Sequence, residues 1–285
     1  MDALPLSKQV LKRRLYSFLK PGGDGVELAG LLGSEVCDAS YSIDREGFPF
    51  LVMEFIEAGS IDIILDNEST SLRRGGFLCY GPGSRVSMKV ATGVRCTKHF
   101  IAISPGAGMD LESLQGLFTE GRGLLVERIP VIRVLKFINL ITDIAGDPEM
   151  WEVLVRSIDA LGCFLGLLPK KRRPEVESTD EAFRAVTRFI SEHFMKLKSL
   201  DEIADRCGYD KSYLCQIYKR HSEVSPYQQL LRMKMGYACI LLETTDWKVR
   251  AIAESLGYED SLHFSRLFKQ KIGVSPSQFR PEVER

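Results

Sequence analysis

The sequence predicts an α+β protein of two domains: a small antiparallel β jelly roll or barrel followed by helices, then an all-α C-terminal third. Three observations carry the prediction. From Phe48 to Ser104 short apolar runs alternate with turn residues, from Val131 to Leu168 apolar residues recur at helical spacing, and from Ile203 onward a segment of about fifty residues occurs twice.

The elements follow in chain order. Leu6 to Leu19 sets Leu6, Val10, Leu11, Leu15, Phe18 and Leu19 against Lys8, Lys12, Arg13 and Arg14, a basic amphipathic segment expected as a helix packed on the domain or as an arm over a ligand. It lacks the continuous apolar core of a signal peptide. The strand-like runs are Phe50 to Ile56, Ile61 to Leu65, Phe77 to Tyr80 and Val94 to Ser104, divided by Ala58-Gly59, Asp66-Asn67-Glu68-Ser69, Gly75-Gly76 and Gly81-Pro82-Gly83. Val131, Val134, Leu135, Ile138 and Ile141 precede Gly146-Asp147-Pro148, and Val153, Leu154, Ile158, Leu161, Leu165 and Leu168 follow it, which predicts an antiparallel helix pair. Pro169 to Ser178, with four consecutive cations, has the composition of an exposed linker. The expected boundaries are therefore 1–108 for the arm and barrel, 109–168 for the helices, 169–178 for the linker and 179–285 for the C-terminal module.

Within that module Ile203-Ala204-Asp205-Arg206-Cys207-Gly208-Tyr209 returns as Ile252-Ala253-Glu254-Ser255-Leu256-Gly257-Tyr258. Leu214, Ile217, Tyr218 and Lys219 return as Phe264, Leu267, Phe268 and Lys269, and each copy ends in Val-Ser-Pro. The offset grows from 49 to 50 through one extra turn residue in the second copy. Ser199 and Glu202 have the spacing of a capping box, Gly208 suits a left-handed helix stop, and Asp210 is a natural cap for the next helix. On that next helix Tyr213, Leu214, Ile217 and Tyr218 form an apolar stripe expected to pack inward. The opposite face keeps Lys211, Ser212, Cys215, Gln216, Lys219 and Arg220, side chains of the kind that contact phosphates and base edges. The second copy repeats the arrangement with Leu262, Ser265, Arg266 and Lys269 outside and His263, at the position of Tyr213, assigned to packing, with a phosphate contact as the alternative. Small Ala204, turn Gly208 and apolar Leu214 and Ile217 keep the spacing of a helix-turn-helix, so two such heads for double-stranded DNA are expected. Ser225 and Pro226 start a long helix through Leu230, Leu231, Met235, Ala238 and Leu242, read as a stiff rod between them.

These residues resemble the AraC/XylS family of transcriptional regulators over about Thr179 to Arg280. The most specific stretch is Ile252 to Tyr258, followed by His263-Phe264-Ser265-Arg266-Leu267-Phe268-Lys269 and Gly273-Val274-Ser275-Pro276. Glu223 stands where the second copy has Gly273. Carried over by position, the resemblance implies base reading by Ser212, Cys215 and Gln216 in the first head and by Leu262, Ser265 and Arg266 in the second, with Lys211, Lys219 and Lys269 on phosphates. A single lysine is ordinarily a solvated helix face; repetition at equivalent positions is what favours the DNA reading. Cys215 is read as a small side chain at the groove, weighed against a redox-sensitive thiol beside Lys211 and Lys219.

In the N-terminal half Leu72-Arg73-Arg74-Gly75-Gly76 and Tyr80-Gly81-Pro82-Gly83 resemble the turns of cupin barrels, which implies a cupin-like sensory jelly roll. Val86 falls where many cupins have histidine, and the His-x-His pair is absent. A cupin metal site needs two or three histidines and a carboxylate. This half holds only His99, since His193, His221 and His263 lie further on, so no metal, cofactor or enzyme activity is expected. Glu54, Tyr80, Arg85 and His99 are the candidates for polar effector contacts inside the barrel, each weighed against the usual place of a charged strand residue on the solvent face.

Formal net charge is zero, from 38 basic and 38 acidic residues, but the halves differ. Residues 170–285 hold 21 basic against 17 acidic residues, and the remainder the reverse, so the positive share lies with the repeats. Seven scattered cysteines without a Cys-x-x-Cys pair read as free thiols in a cytoplasm, and no run of 18 apolar residues supports a membrane span. The resemblance implies a homodimeric activator that contacts RNA polymerase and responds to a small polar metabolite such as a sugar. The alternative is a constitutive DNA-binding dimer with a structural barrel.

Overall fold

The computed structural model describes residues 10–22, 25–46, 48–82, 84–91, 94–104, 124–126, 129–167 and 181–280. These fall in two compact units, one within Ser7–Asp44 and Phe50–Pro174, the other within Glu175–Arg285 together with Arg45–Pro49. The expected linker at 169–178 lies outside the described residues.

The described strands are β1 (Val10–Gly22), β2 (Gly25–Cys37), β3 (Ser42–Glu46), β4 (Leu51–Ala58), β5 (Ser60–Leu65), β6 (Glu68–Arg73), β7 (Phe77–Tyr80), β8 (Arg85–Val90), β9 (Cys96–Ile103) and β10 (Leu124–Val126). They form a sheet in the order β1-β2-β9-β4-β7-β10 and a second in the order β3-β8-β5-β6, the two-sheet arrangement of a jelly roll. The turn expected at Asp66-Asn67 is a two-residue hairpin, with φ of 49° and 71° at the two residues and Leu65 opposite Glu68.

One expectation is overturned. The described part of the Leu6 to Leu19 segment is strand, not helix, and β2 and β3 follow it where no strands were expected. Leucine, lysine and arginine are good helix formers, but pairing along almost the whole of β2 outweighs that local preference. Register shifts between Val10 and Lys12 and between Phe18 and Leu19 break the period of two that would have marked a strand.

Alternation along the strands gives the large sheet two dissimilar faces. Met53, Phe55, Phe77, Cys79, Ile101 and Ile103 join Val134, Ile138, Ile141 and Ile144 of α1 (Val131–Ile144) and Leu154, Ile158, Leu161 and Leu165 of α2 (Trp151–Gly166) in one core. The helix pair thus covers this face. A 3₁₀ turn, Pro148–Met150, starts α2, with the Asp147 carboxylate accepting from the Glu149 N–H at 2.9 Å. The other face carries Glu54, Tyr80, Lys98 and Phe100. No helix among the described residues is long and apolar enough to cross a membrane.

The second unit is helical: α3 (Glu181–His193), α4 (Leu200–Cys207), α5 (Lys211–His221), α6 (Pro226–Thr244), α7 (Val249–Ser255), α8 (Ser261–Ile272) and α9 (Pro276–Phe279). The long α6 is more than a rod. Leu230, Leu231, Met233, Met235, Tyr237, Ala238, Ile240 and Leu242 are all buried, so apolar contact runs around most of its circumference and α6 is the core of the module. Both Val-Ser-Pro sequences give full capping boxes. Ser225 Oγ accepts from the Gln228 N–H and Gln228 Oε1 from the Ser225 N–H, and Ser275 and Gln278 repeat the exchange.

Candidate nucleic-acid interface

Each head is a short helix, a glycine turn and a second helix. In the first, Ser199 Oγ accepts from the Glu202 N–H at 3.1 Å, while the Glu202 carboxylate reaches back one residue further than in a full capping box, to the Lys198 N–H at 2.8 Å. Gly208 ends α4 with φ of 72°, and Gly257 holds the matching turn with φ of 77°. Asp210 occupies the cap position of α5 without a side-chain cap bond, whereas Asp260 accepts from the Leu262 N–H at 2.8 Å. That bond and one from the His263 N–H hold the Asp260 carboxyl below its usual range. Glu259, just before Asp260, is the extra residue of the second copy.

Buried side chains fix the faces. Ile203, Ala204, Leu214, Ile217 and Tyr218 are buried in the first head and Ile252, Ala253, Phe264 and Phe268 in the second. The Tyr218 ring meets Phe183 edge-on at 5.0 Å and its hydroxyl lies 3.2 Å from Thr187 Oγ1, which ties α5 to α3. Phe268 meets Phe279 edge-on at 5.7 Å. Leu267 is half-buried rather than fully inside.

The opposite stripes face solvent. Ser212, Cys215, Gln216 and Lys219 are exposed and recur at i, i+3, i+4 and i+7, one face of α5. Leu262, Ser265, Arg266 and Lys269 occupy the same four positions of α8, with Leu262 71% exposed and Ser265 half-buried. Three of the polar groups are partly held. Lys211 pairs with Asp201, Ser265 Oγ donates to the Ser261 carbonyl at 2.8 Å, and Arg266 donates from Nε to the Leu262 carbonyl at 3.4 Å with Asp260 3.9 Å away. These contacts steady the side chains on an open surface.

Two assignments to packing are corrected. Tyr213 is 41% exposed and leans on Tyr209 at 5.4 Å between ring centres; His263, at the equivalent position, is exposed and 6.1 Å from Tyr258. Both sit in the first turn of their helix, where no preceding turn covers the flank. The signal for them was present in the repeat, which pairs Tyr209 with Tyr258 as well as Tyr213 with His263.

The four candidate effector residues do not converge. Glu54 and Tyr80 do: the Tyr80 hydroxyl donates to Glu54 Oε1 at 3.1 Å, in a fully buried cluster where Lys98 donates to Glu54 Oε2 at 2.8 Å and lies 3.1 Å from Glu35. Lys98 also stands 5.2 Å from the Phe100 ring centre and 5.5 Å from that of Tyr41. Arg13 reaches Glu35 at 2.8 Å. His99 points to the other sheet face, 2.7 Å from Glu57, beside a cavity of about 10 Å³ lined by Met53, Phe55 and Ile138. Arg85 lies out of phase with buried Val86, Met88 and Val90, so it is on the outer face of β8. Sequence reasoning missed Lys98 and Glu35, which stand beside Glu54 through strand pairing and not through spacing.

Residues 199–282 match the family model of a helix-turn-helix domain. The transcriptional activator RhaS of Enterobacter sp. (strain 638) is 31% identical over 216 residues, 72% of this chain and 76% of that protein. The chain belongs to the AraC/XylS family of transcriptional regulators. Accordingly it is a DNA-binding regulator, in a family of regulators and not of enzymes. Several other matches are shorter, and the chain spans less than two thirds of those relatives. The raffinose operon regulatory protein RafR of Pediococcus pentosaceus is 29% identical over 109 residues, 38% of this chain and 39% of that one. In fold, ToxT of Vibrio cholerae superposes with a TM-score of 0.52 at 14% identity, over 88% of this chain and 97% of that chain.

Proposed function

We propose that this AraC-family protein is a homodimeric activator that reads DNA with α5 and α8 and responds to a small polar metabolite such as a sugar. The observation that carries the reading is the pair of equivalent exposed stripes, Ser212, Cys215, Gln216 and Lys219 on α5 and Leu262, Ser265, Arg266 and Lys269 on α8. Arg266 forks onto guanine O6 and N7, Gln216 suits adenine, exposed Leu262 suits a thymine methyl, and Lys211, Lys219 and Lys269 take phosphates. The two heads enter successive major grooves, roughly 34 Å apart. Exposed Ile132 and Leu140 of α1 and Val153 of α2 supply apolar surface for the dimer. RNA polymerase contact and a cytoplasmic location complete the proposal.

An effector role for the inner face of the jelly roll rests on Glu54, Tyr80, Lys98 and Glu35, with no part for Arg85 or His99. Two carboxylates and an ammonium in a protein interior are less stable than apolar residues of similar volume, and hydroxyl-rich ligands are recognised by such groups. The ligand shifts the equilibrium between chain arrangements by its differential affinity for them. A second reading, a constitutive dimer with a structural jelly roll, is favoured by the mutual pairing inside that same cluster. The test is selection of genomic fragments by the full-length protein, followed by isotherms at several salt concentrations and thermal shift against a sugar panel. A salt-sensitive specific site and a raised melting temperature with one sugar are expected. A specific site with no stabilising ligand leaves the second reading, and enrichment of no site overturns both.

A further inference from the structure

The turn of the second head is tied to the rest of the module at three points that the sequence repeat does not explain. Lys234, on α6 and 3% exposed, donates from Nζ to the carbonyl of Leu256, the cap residue of α7, at 2.5 Å. Its ammonium stands 4.9 Å from the centre of the Tyr258 ring. The C-terminal end of a helix carries partial negative charge and the ring face adds more, so a cation is suited to this place. Next to it, a Cβ on Gly257 would come 2.9 Å from the carbonyl oxygen of Met195 and 3.7 Å from Lys234 Nζ. Met195 belongs to the turn between α3 and α4, the approach to the first head. At the surface of the same junction Glu259 pairs with Lys198 at 2.7 Å, across 61 residues. Glu259 is the inserted residue of the second copy, so the departure from exact repetition falls where the two heads meet.

A buried ammonium costs stability unless it is paired or hydrogen-bonded, and an apolar side chain would fill the space more cheaply. What lysine adds is direction: one donor from the central helix to one carbonyl of the second head's turn. We propose that Lys234, backed by the close approach at Gly257 and by the Lys198–Glu259 pair, locks the two heads at one angle, and is a positioning residue for reading two half-sites at a fixed spacing. The positioning role rests on the proposed DNA reading by α5 and α8; the lock itself does not.

The experiment has two arms, both in the full-length chain. In the first, spin labels on Arg220→Cys and Gln270→Cys, with Cys163, Cys207 and Cys215 changed to Ser, report the distance between heads without DNA. A narrow distribution is expected, broadened at least twofold by Lys234→Met and restored by Lys234→Arg, which keeps a cationic donor. Should Lys234→Met not fold, Glu259→Lys sets two ammonium groups face to face at the same junction and is expected to broaden the distribution. A variant as narrow as the parent overturns the lock. In the second arm, two base pairs are inserted between the half-sites of the enriched operator. The parent is expected to lose at least tenfold in affinity and Lys234→Met less than threefold, with equal binding of both to an isolated half-site. An unchanged insertion penalty, or an equal loss on the half-site, overturns the positioning role. Absence of any enriched operator would count against the DNA reading and leave the distance arm standing.

Discussion

Lys98→Met tests whether the buried cluster of the jelly roll is held together by its cation. Lys98 is fully buried, 2.8 Å from Glu54 and 3.1 Å from Glu35. Methionine fills similar volume, so little packing is lost and the cost is chiefly that of leaving a buried carboxylate without its counter-charge. Removing one partner of a buried pair costs about 3–5 kcal/mol. Lys98 stands closer to Glu54, at 2.8 Å, than to Glu35, which Arg13 also reaches at 2.8 Å, so Glu54 is expected to carry most of the loss. Adding Glu54→Gln, which neutralises that carboxylate while retaining an acceptor for Tyr80, is therefore expected to recover at least half of it. The two tryptophans make the assay specific: Trp151 lies in the first unit and Trp247 in the second, so urea unfolding in a Trp247→Phe background follows the first unit by fluorescence. With a urea slope of about 2 kcal/mol/M, the single variant should lower the midpoint by roughly 1.5–2.5 M. A shift below about 0.5 M, or a double variant no more stable than the single, refutes the assignment of the cluster's stability to this cation.

Arg266→Ala should weaken binding to the enriched operator by about 1–3 kcal/mol and relax preference at one base pair, read by competition with single-substitution operators; equal weakening on every sequence would make it a phosphate contact. Lys269→Ala should weaken all sequences alike and reduce the salt slope by about one, and an unchanged slope would remove it from the interface. Maleimide at neutral pH should label exposed Cys163 and Cys215 quickly and half-buried Cys207 slowly, with Cys37, Cys79, Cys96 and Cys239 silent until unfolding; burial raises these four thiols, Cys37 to about 12 and Cys96 to about 11. Burial also pulls Lys234 down to about 8 from 10.5, against the opposing effect of Glu202 and with that of Lys198. Between those values the unfolded chain binds the proton and the folded one does not, so stability rises with pH. The gap between parent and Lys234→Met should move in favour of the parent by about 1.5 kcal/mol from pH 8 to 9.5, and a flat gap would refute the shift.

The C-terminal module was legible because each of its signals is local. Ser225, Pro226 and Gln228 specify a helix start within four residues, and Gly208 and Gly257 specify their turns through backbone freedom alone. A repeat then doubles each signal. The jelly roll was half legible for the opposite reason. β4, β5, β7 and β9 announce themselves by apolar runs and turns, but β1 is defined by pairing with β2, and its bulges and helix-forming residues hide it from any local rule.

The same division explains the candidate sites. Exposed positions on α5 and α8 follow from a period of 3.6 once the buried stripe is known, so the eight residues at i, i+3, i+4 and i+7 could be named in advance; Tyr213 and His263 escaped because the first turn of a helix lacks a preceding turn to cover its flank. Inside the jelly roll no such inference holds. Glu54 meets Lys98 because β4 and β9 are neighbours, and Glu35 meets Lys98 because β2 and β9 are; neither adjacency is written in the spacing of 44 or 63 residues. Phase within a strand does separate the four sequence candidates afterwards. Lys98 and His99 are consecutive, so a period of two must send one into the ion cluster and the other toward α1 and α2. The histidine that looked like the natural ligand contact is on the helix side, and the lysine that drew no notice is at the centre of the polar interior.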